Sequence, residues 1–270
     1  MKHVSKEATS KRTAVLLISI AILFGATAIF CGFRAYDAQR QGQESEDAYE
    51  ELSESYVTVK QGEISVENGT GAPEPEPIYS PIEVNFDDLL GRAARGDVVG
   101  WLFCEDTVIN YPVAQCDDNV YYLEHSLDGW DNAYGVLFLD CRCNSDFSSR
   151  NNIIYGHHMQ DGQMFNCLKK WRNISGFYED HPVMYLNTPY GNYRMDIFST
   201  FVSDTNSVAL TTGFENDDDF QVFLDFITEN NLLETDIIPT ADDRILTLCT
   251  CSYEWNDART YVCGILKEIL

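Results

Sequence analysis

The residues best suited to covalent chemistry lie near the C-terminal end. Ile245-Leu246-Thr247-Leu248-Cys249-Thr250-Cys251 is an apolar run rich in strand formers that stops at a cysteine, and Arg259 follows eight residues later. A thiol attacks a carbonyl as thiolate, so a nucleophilic Cys251 needs a base and a positive environment within reach. A second apolar run, Ile153-Ile154-Tyr155-Gly156, ends at His157 and His158 and offers the base. Arg259 offers a donor for a developing oxyanion. Singly, each has a plainer role: an inert core cysteine, a turn histidine, a surface cation. Chemistry requires that the fold bring them together.

Residues two apart in a strand share a face, so Thr247, Cys249 and Cys251 project the same way. If the last strand, Thr260 to Leu266, returns antiparallel through the loop Ser252 to Ala258, Arg259 arrives beside Cys251. His157 and His158 are neighbours facing opposite ways, so only one can point at Cys251. Further strands are expected at Val98–Phe103, Val108–Val113, Gly135–Asp140 and Asn152–Tyr155, with a hairpin of Val183–Leu186 and Tyr193–Val202. Short helices are expected at Asp87–Arg95, Asp118–Leu127 and Met164–Arg172, and an inserted one at Asp217–Thr228 with Phe220, Phe223, Leu224 and Ile227 on one face. Many short strands and few small helices predict a mainly β fold, a closed or nearly closed β-barrel, rather than a parallel α/β sheet.

Ahead of this body, Ala14 to Phe33 is 20 residues without a charge, preceded by Lys2, Lys6, Lys11 and Arg12. As a helix it is about 30 Å long, one bilayer core, and longer than a signal-peptide core of roughly 7 to 15 residues. Bulky Phe30 before Cys31 argues against a lipidated cysteine. The expectation is a cytoplasmic tail at 1–12, a single transmembrane anchor at 13–34, an extracellular stalk and Pro-rich linker at 35–82, and a catalytic domain at 83–270. Within the stalk, Tyr49, Leu52, Tyr56 and Val59 permit a short amphipathic helix. Ala72-Pro73-Glu74-Pro75-Glu76-Pro77 makes an extended spacer from Gln61 to Pro81.

From Arg34 onward the chain has 14 basic and 42 acidic residues, a net of −28, which disfavours nucleic acid as a partner. Of nine cysteines, Cys141/Cys143 and Cys249/Cys251 form C-x-C pairs, poor geometry for an internal bridge and short of a zinc knuckle. No acidic cluster has calcium-loop spacing, so no metal or other cofactor is expected.

Together these features resemble the sortases, membrane-anchored cysteine transpeptidases of Gram-positive surfaces that are grouped with thiol proteases and hydrolases. Their T-L-x-T-C signature stands here as Thr247-Leu248-Cys249-Thr250-Cys251, with Arg259 as the following arginine, and their G-H pair as Gly156-His157. Val99-Gly100-Trp101-Leu102, Ile109-Asn110-Tyr111-Pro112-Val113, Asp118-Asn119-Val120-Tyr121-Tyr122-Leu123, Gly135-Val136-Leu137-Phe138-Leu139-Asp140 and Ile154-Tyr155-Gly156-His157-His158-Met159 resemble class B sortases in particular, as does the helix-bearing excursion before the last strands.

The resemblance implies a sortase-type closed barrel with short peripheral helices. It implies Cys251 as nucleophile, His157 as acid and base, and Arg259 at the oxyanion, leaving His158 dispensable. A C-terminal sorting signal of the LPXTG or NPQTN type would be cleaved after Thr through a thioester, and the surface protein passed to a peptidoglycan precursor amine. A pilin lysine as acceptor, or a non-enzymatic anchored adhesin, are the competing readings. Ordinary pKa values near 8.5 for a thiol and 6.5 for an imidazole make a thiolate–imidazolium pair scarce at neutral pH unless the site shifts both, so slow turnover is expected. Cys249 and Thr250 are candidate substrate-binding residues, with simple packing the favoured reading of Cys249. Asp140 and Asp257 are candidates for orienting the histidine.

Overall fold

The computed structural model describes residues 2–60 and 77–270. The proline-rich stretch of the expected spacer, 61–76, lies outside the described residues.

Helix α1, Lys2–Tyr56, contains the apolar segment. Its most apolar 18-residue window has a mean hydropathy of 2.4 with none of it buried, long and apolar enough to cross a membrane. The chain divides into two compact units, one ending at Ser45 and one running Glu46–Leu270.

The second unit starts well before residue 83. Tyr49 is 6% exposed and donates its hydroxyl to the Gly135 carbonyl, and Ser53 accepts from Asn110. The Tyr49, Leu52, Tyr56 spacing is thus a packed face rather than a free stalk. Strand β1 (Val57–Val59) pairs antiparallel with β2 (Ile82–Val84), so the stretch expected as linker is tied to the body at both ends.

Eight further strands close into a barrel: β3 (Asp97–Phe103), β4 (Asn110–Gln115), β5 (Leu137–Leu139), β6 (Asn151–Tyr155), β7 (Val183–Thr188), β8 (Gly191–Ser203), β9 (Ile245–Cys251) and β10 (Arg259–Ile269). Around the barrel the order is β10-β8-β7-β3-β4-β5-β6-β9. Two neighbouring pairs, β4 with β5 and β6 with β9, run parallel. The closed mainly β barrel expected from the sequence is what forms.

Alternation along β9 sorts its side chains between two cores. Leu246 and Leu248 fill the barrel interior with Ile154, Val262 and Leu137. Ile245 and Cys249 point the other way, into a layer with Ile153, Tyr261 and the inserted helix. Both cores are apolar on both faces of one strand, which explains why the run reads as continuously hydrophobic.

The helices between strands are α2 (Phe86–Leu89), α3 (Tyr121–Glu124), α4 (Lys170–Asn173), α5 (Phe177–Asp180) and α6 (Asp217–Glu229). The helix expected over Met164–Arg172 forms as a 3-10 stretch, Phe165–Lys169, that runs on into α4, and α6 has its expected length. Asn216 caps its N-terminus by accepting from the Asp219 N–H, three aspartates oppose the helix dipole, and Phe220, Phe223, Leu224 and Ile227 are buried. The spacing over Asp118–Leu127 predicts nearly three turns, and one forms. Asp118 accepts from the N–H of Val120 and Tyr121, while His125 is extended and ends the turn. Its exposed carbonyls then find tertiary partners, with consequences for the site.

Candidate active site

Strand register brings the chemistry to one rim of the barrel. In the parallel pairing of β6 with β9, Tyr155 lies opposite Cys249. Both strands run in the same direction, so the segment that carries His157, just past the end of β6, and the end of β9 that carries Cys251 reach the same rim. The odd-numbered residues Ile153, Tyr155, Ile245 and Cys249 share one face, and Cys251, the last residue of β9, continues that parity.

Arg259 is brought in by the antiparallel pairing of β9 with β10, where it is the direct partner of Cys251. The Cys249 carbonyl accepts from Gly156, so odd residues of β9 bond toward β6 and even ones toward β10. Cys251 and Arg259 are therefore a non-hydrogen-bonded pair, the kind whose Cα atoms lie about 4.5 Å apart with side chains on one face. Cys251, His157 and Arg259 are each partly exposed, which leaves all three within reach of a substrate.

The electrostatics of Arg259 are unusual for this acidic chain. Arg92, Arg95, Arg142, Arg150, Arg172 and Arg194 each hold a carboxylate. Among the described residues no carboxylate lies within ion-pair distance of Arg259, whose guanidinium donates to the neighbouring Ala258 carbonyl at 3.0 Å. Its charge is left available on the face of Cys251.

His157 is held by backbone. Its Nε2 lies 2.6 Å from the carbonyl of Leu123, one of the exposed carbonyls of the one-turn helix α3. A carbonyl only accepts, so Nε2 carries the hydrogen and Nδ1 is left for proton exchange. The Phe165 N–H, in turn, donates to the His157 carbonyl at 2.9 Å. A side chain at Gly156 would meet Leu137 Cδ2 at 2.4 Å and Phe165 Cδ2 at 2.8 Å, so only glycine lets the chain pass this close to the core before the histidine.

Neither candidate acid orients His157. Asp140 is fully buried and receives Arg142 Nε at 2.9 Å, Arg142 Nη2 at 2.7 Å and the Tyr155 hydroxyl at 2.9 Å. Burial pushes its carboxyl up, but the bonds from Arg142 and Tyr155 outweigh it and bring the pKa down to about 2. Asp257 sits exposed in the β9–β10 loop and accepts from Asn256.

Cys249 and Thr250 are each 2% exposed. Their side chains are covered, which gives them packing positions rather than substrate-contacting ones. Burial pushes the Cys249 thiol up to about 12 despite Arg259 and a hydrogen bond with Tyr261. All nine cysteines are free thiols.

His158 makes contacts that its sequence position did not suggest. Its Nδ1 lies 2.9 Å from the carbonyl of Cys251, and Lys169 Nζ lies 3.5 Å from its Nε2. The ring of Tyr253 meets it edge to face. Burial holds this imidazole below its ordinary pKa; Lys169 and Arg172 add to that, and the Cys251 carbonyl and Glu254 pull the other way. Two contributions to the site, the Leu123 carbonyl and the His158 ring, were missed by sequence reasoning. The first is a main-chain atom with no residue-type signature; the second stood in plain view as the other half of a His-His pair.

The β9–β10 loop is tied down from outside. Arg172, its side chain 10% exposed, pairs with Glu254, and Glu254 accepts from Ser252, the residue after Cys251. A partly exposed thiol, an imidazole anchored through one nitrogen and a guanidinium with no carboxylate partner among the described residues, gathered at one rim of the barrel, are groups that can carry out acyl transfer.

Comparison with known proteins agrees. The Sortase domain family profile matches residues 104–266. The chain is similar to Sortase B of Staphylococcus aureus strain NCTC 8325, 34% identical over 173 residues, or 64% of this chain and 70% of that protein. Among solved structures, a 1.6 Å crystal structure of a Bacillus anthracis protein similar to sortase B is 30% identical and covers 84% of this chain and 98% of its own, with a TM-score of 0.69. A Staphylococcus aureus sortase B–substrate complex is 31% identical over 68% of this chain and 84% of its own, with a TM-score of 0.62. A closed barrel with this rim, a family match over most of the barrel and relatives of this similarity lead to one assignment: the chain belongs to the sortase family of cysteine transpeptidases, which anchor proteins to the cell wall.

Proposed function

We propose that this sortase acts from the outer face of the cell membrane, held there by the apolar part of α1 with its N-terminus in the cytoplasm. The basic residues Lys2, Lys6, Lys11 and Arg12 ahead of the span support that orientation. Its substrates are surface proteins ending in a sorting signal of the LPXTG or NPQTN type, and its acceptor is a peptidoglycan precursor amine.

In this reading the Cys251 thiolate adds to the Thr carbonyl carbon of the sorting signal. Arg259 donates to the oxyanion that forms. As the C–N bond breaks, His157 gives its Nδ1 proton to the departing amine, and a thioester to Cys251 remains. The incoming amine then adds to the thioester, His157 takes its proton, and the C–S bond breaks as the new amide forms. The Leu123 carbonyl accepts from Nε2–H throughout, so one nitrogen serves both proton transfers.

The observation that carries this reading is the double register: Tyr155 opposite Cys249 in one ladder and Arg259 opposite Cys251 in the other. The test is to incubate the full-length chain in detergent with fluorogenic sorting peptides, with and without a wall-peptide amine. Cleavage after Thr and an amine-dependent ligation product are expected from the parent chain. Equal cleavage by Cys251→Ala would defeat the proposal.

A further inference from the structure

The end of the β6–β9 ladder departs from regular pairing at one place. In a parallel ladder, carbonyls two residues apart point to the same side. The Cys249 carbonyl accepts from the Gly156 N–H at 3.2 Å. The next carbonyl on that side belongs to Cys251, and its regular donor would be the backbone N–H of residue 158. Among the described residues no backbone N–H meets that carbonyl: the chain after Gly156 has left the ladder and pairs with the segment around Met164, where the His157 carbonyl accepts from the Phe165 N–H. The Cys251 carbonyl is met by the His158 side chain, through Nδ1 at 2.9 Å.

The chemistry of the ring contacts fixes a single tautomer. An ammonium can only donate, so Lys169 Nζ at 3.5 Å makes Nε2 the acceptor. Nδ1 then carries the hydrogen, as the Cys251 carbonyl requires. The edge-to-face ring of Tyr253, 5.2 Å away, closes another side of the imidazole. On the opposite edge of β9, the Ser252 N–H donates to the Ala258 carbonyl at 2.8 Å. The residue bearing the thiol is thus gripped on both sides, on one by ladder backbone and on the other by a side chain.

We propose that His158 is a positioning residue for the nucleophile: its Nδ1–H replaces the missing backbone donor of β6 and holds the strand end that presents the Cys251 thiol. This inference rests on the reading of Cys251 as nucleophile. Adjacent histidines then divide the work. His157 exchanges protons from a ring anchored on Leu123, and His158 locks the nucleophile's strand against the segment that carries His157. The two are joined by a single peptide bond, so base and nucleophile are registered to each other. The expectation that His158 is dispensable is replaced.

The experiment compares the full-length parent with His158→Ala, His158→Asn and His158→Gln. An Asn amide places its N–H near the position of Nδ1, and a Gln amide near that of Nε2. Three quantities are read: kcat and KM on a sorting peptide, the thermal midpoint, and the rate at which iodoacetamide modifies Cys251 in the native protein, located by peptide mass spectrometry. The expectation is a fall in kcat of about 10-fold for His158→Ala with KM within about 2-fold, because a misplaced nucleophile costs rate more than binding. His158→Asn recovers most of the loss and His158→Gln does not, and Cys251 alkylation changes in the same order. Parental kcat and alkylation in His158→Ala would overturn the proposal, as would losses that track the thermal midpoint equally in all three variants. If no chain cleaves the peptide yet Cys251 alkylation still follows the Ala, Gln and Asn order, the positioning role stands and the catalytic reading of Cys251 fails.

Discussion

Arg259 is the direct cross-strand partner of Cys251, and among the described residues it has no carboxylate to neutralise it. A cation on the thiol's own face, without a resident anion, is matched to charge that appears only during reaction. Replacing Arg259 by Ala is expected to lower kcat for peptide cleavage by about 100-fold or more, the usual cost of an oxyanion donor. Lysine, a point charge without the planar fork, should recover only part of it. Steady-state kinetics of the two variants would decide; a parental kcat in Arg259→Ala would remove the residue from the mechanism.

His157 binds the Leu123 carbonyl through Nε2, the nitrogen a glutamine amide can imitate. His157→Gln should therefore keep the anchor to α3 and a thermal midpoint close to the parent's. It should still lose about 100-fold or more in kcat, because an amide cannot exchange the proton. Circular dichroism melts together with peptide cleavage test both halves of the statement.

The barrel, and the place of Cys251 at the end of one of its strands, were legible in the sequence because each rests on side-chain pattern. The apolar run into Cys251 is long enough to be a strand buried on both faces, and parity within it puts Cys249 and Cys251 on one side. What stayed hidden depends on main-chain atoms and on burial. The segment Asp118–Leu127 has helical spacing, yet it stops after Tyr121–Glu124 because His125 is extended, and this frees the Leu123 carbonyl for His157. Cys249 and Thr250 precede Cys251 in sequence, but both are buried, Cys249 in the layer under α6. His158 looked like the spare member of a pair, since no pattern of residue types reveals that β6 turns away one donor too early. Likewise the helical spacing of Tyr49, Leu52 and Tyr56 was visible, but not that the barrel is what it packs on.

The cysteines should separate sharply by reactivity. Burial pushes Cys104, Cys167, Cys249 and Cys263 up to about 12 and Cys143 up to about 11. Near pH 7.5, brief treatment of the native chain with iodoacetamide should modify the partly exposed Cys251 and leave those five intact, whereas denatured chain is modified at all of them. Peptide mass spectrometry reads the pattern. Rapid native modification of Cys249 would mean that the layer covering it opens in solution.

Asp140 links the site to acid stability. Its carboxyl ionises at about 2 in the folded chain and near 3.8 when free, so the unfolded state binds more protons between those values and stability rises with pH across that window. The contribution is complete above about pH 4 and is lost as pH falls through about 2, worth about 2 kcal/mol. Asp140→Asn should remove it and flatten the unfolding midpoint over that range. A variant as acid-sensitive as the parent would place the titration elsewhere.

The most direct test of the account is to trap the acyl-enzyme. The full-length chain in detergent is mixed with a sorting peptide, quenched in acid and digested, and the adduct is located by mass spectrometry. The peptide's N-terminal portion through Thr should be joined by a thioester to Cys251, released by hydroxylamine and absent from Cys251→Ala. The same adduct on Cys249, or cleavage that persists in Cys251→Ala, would contradict the assignment on which the rest depends.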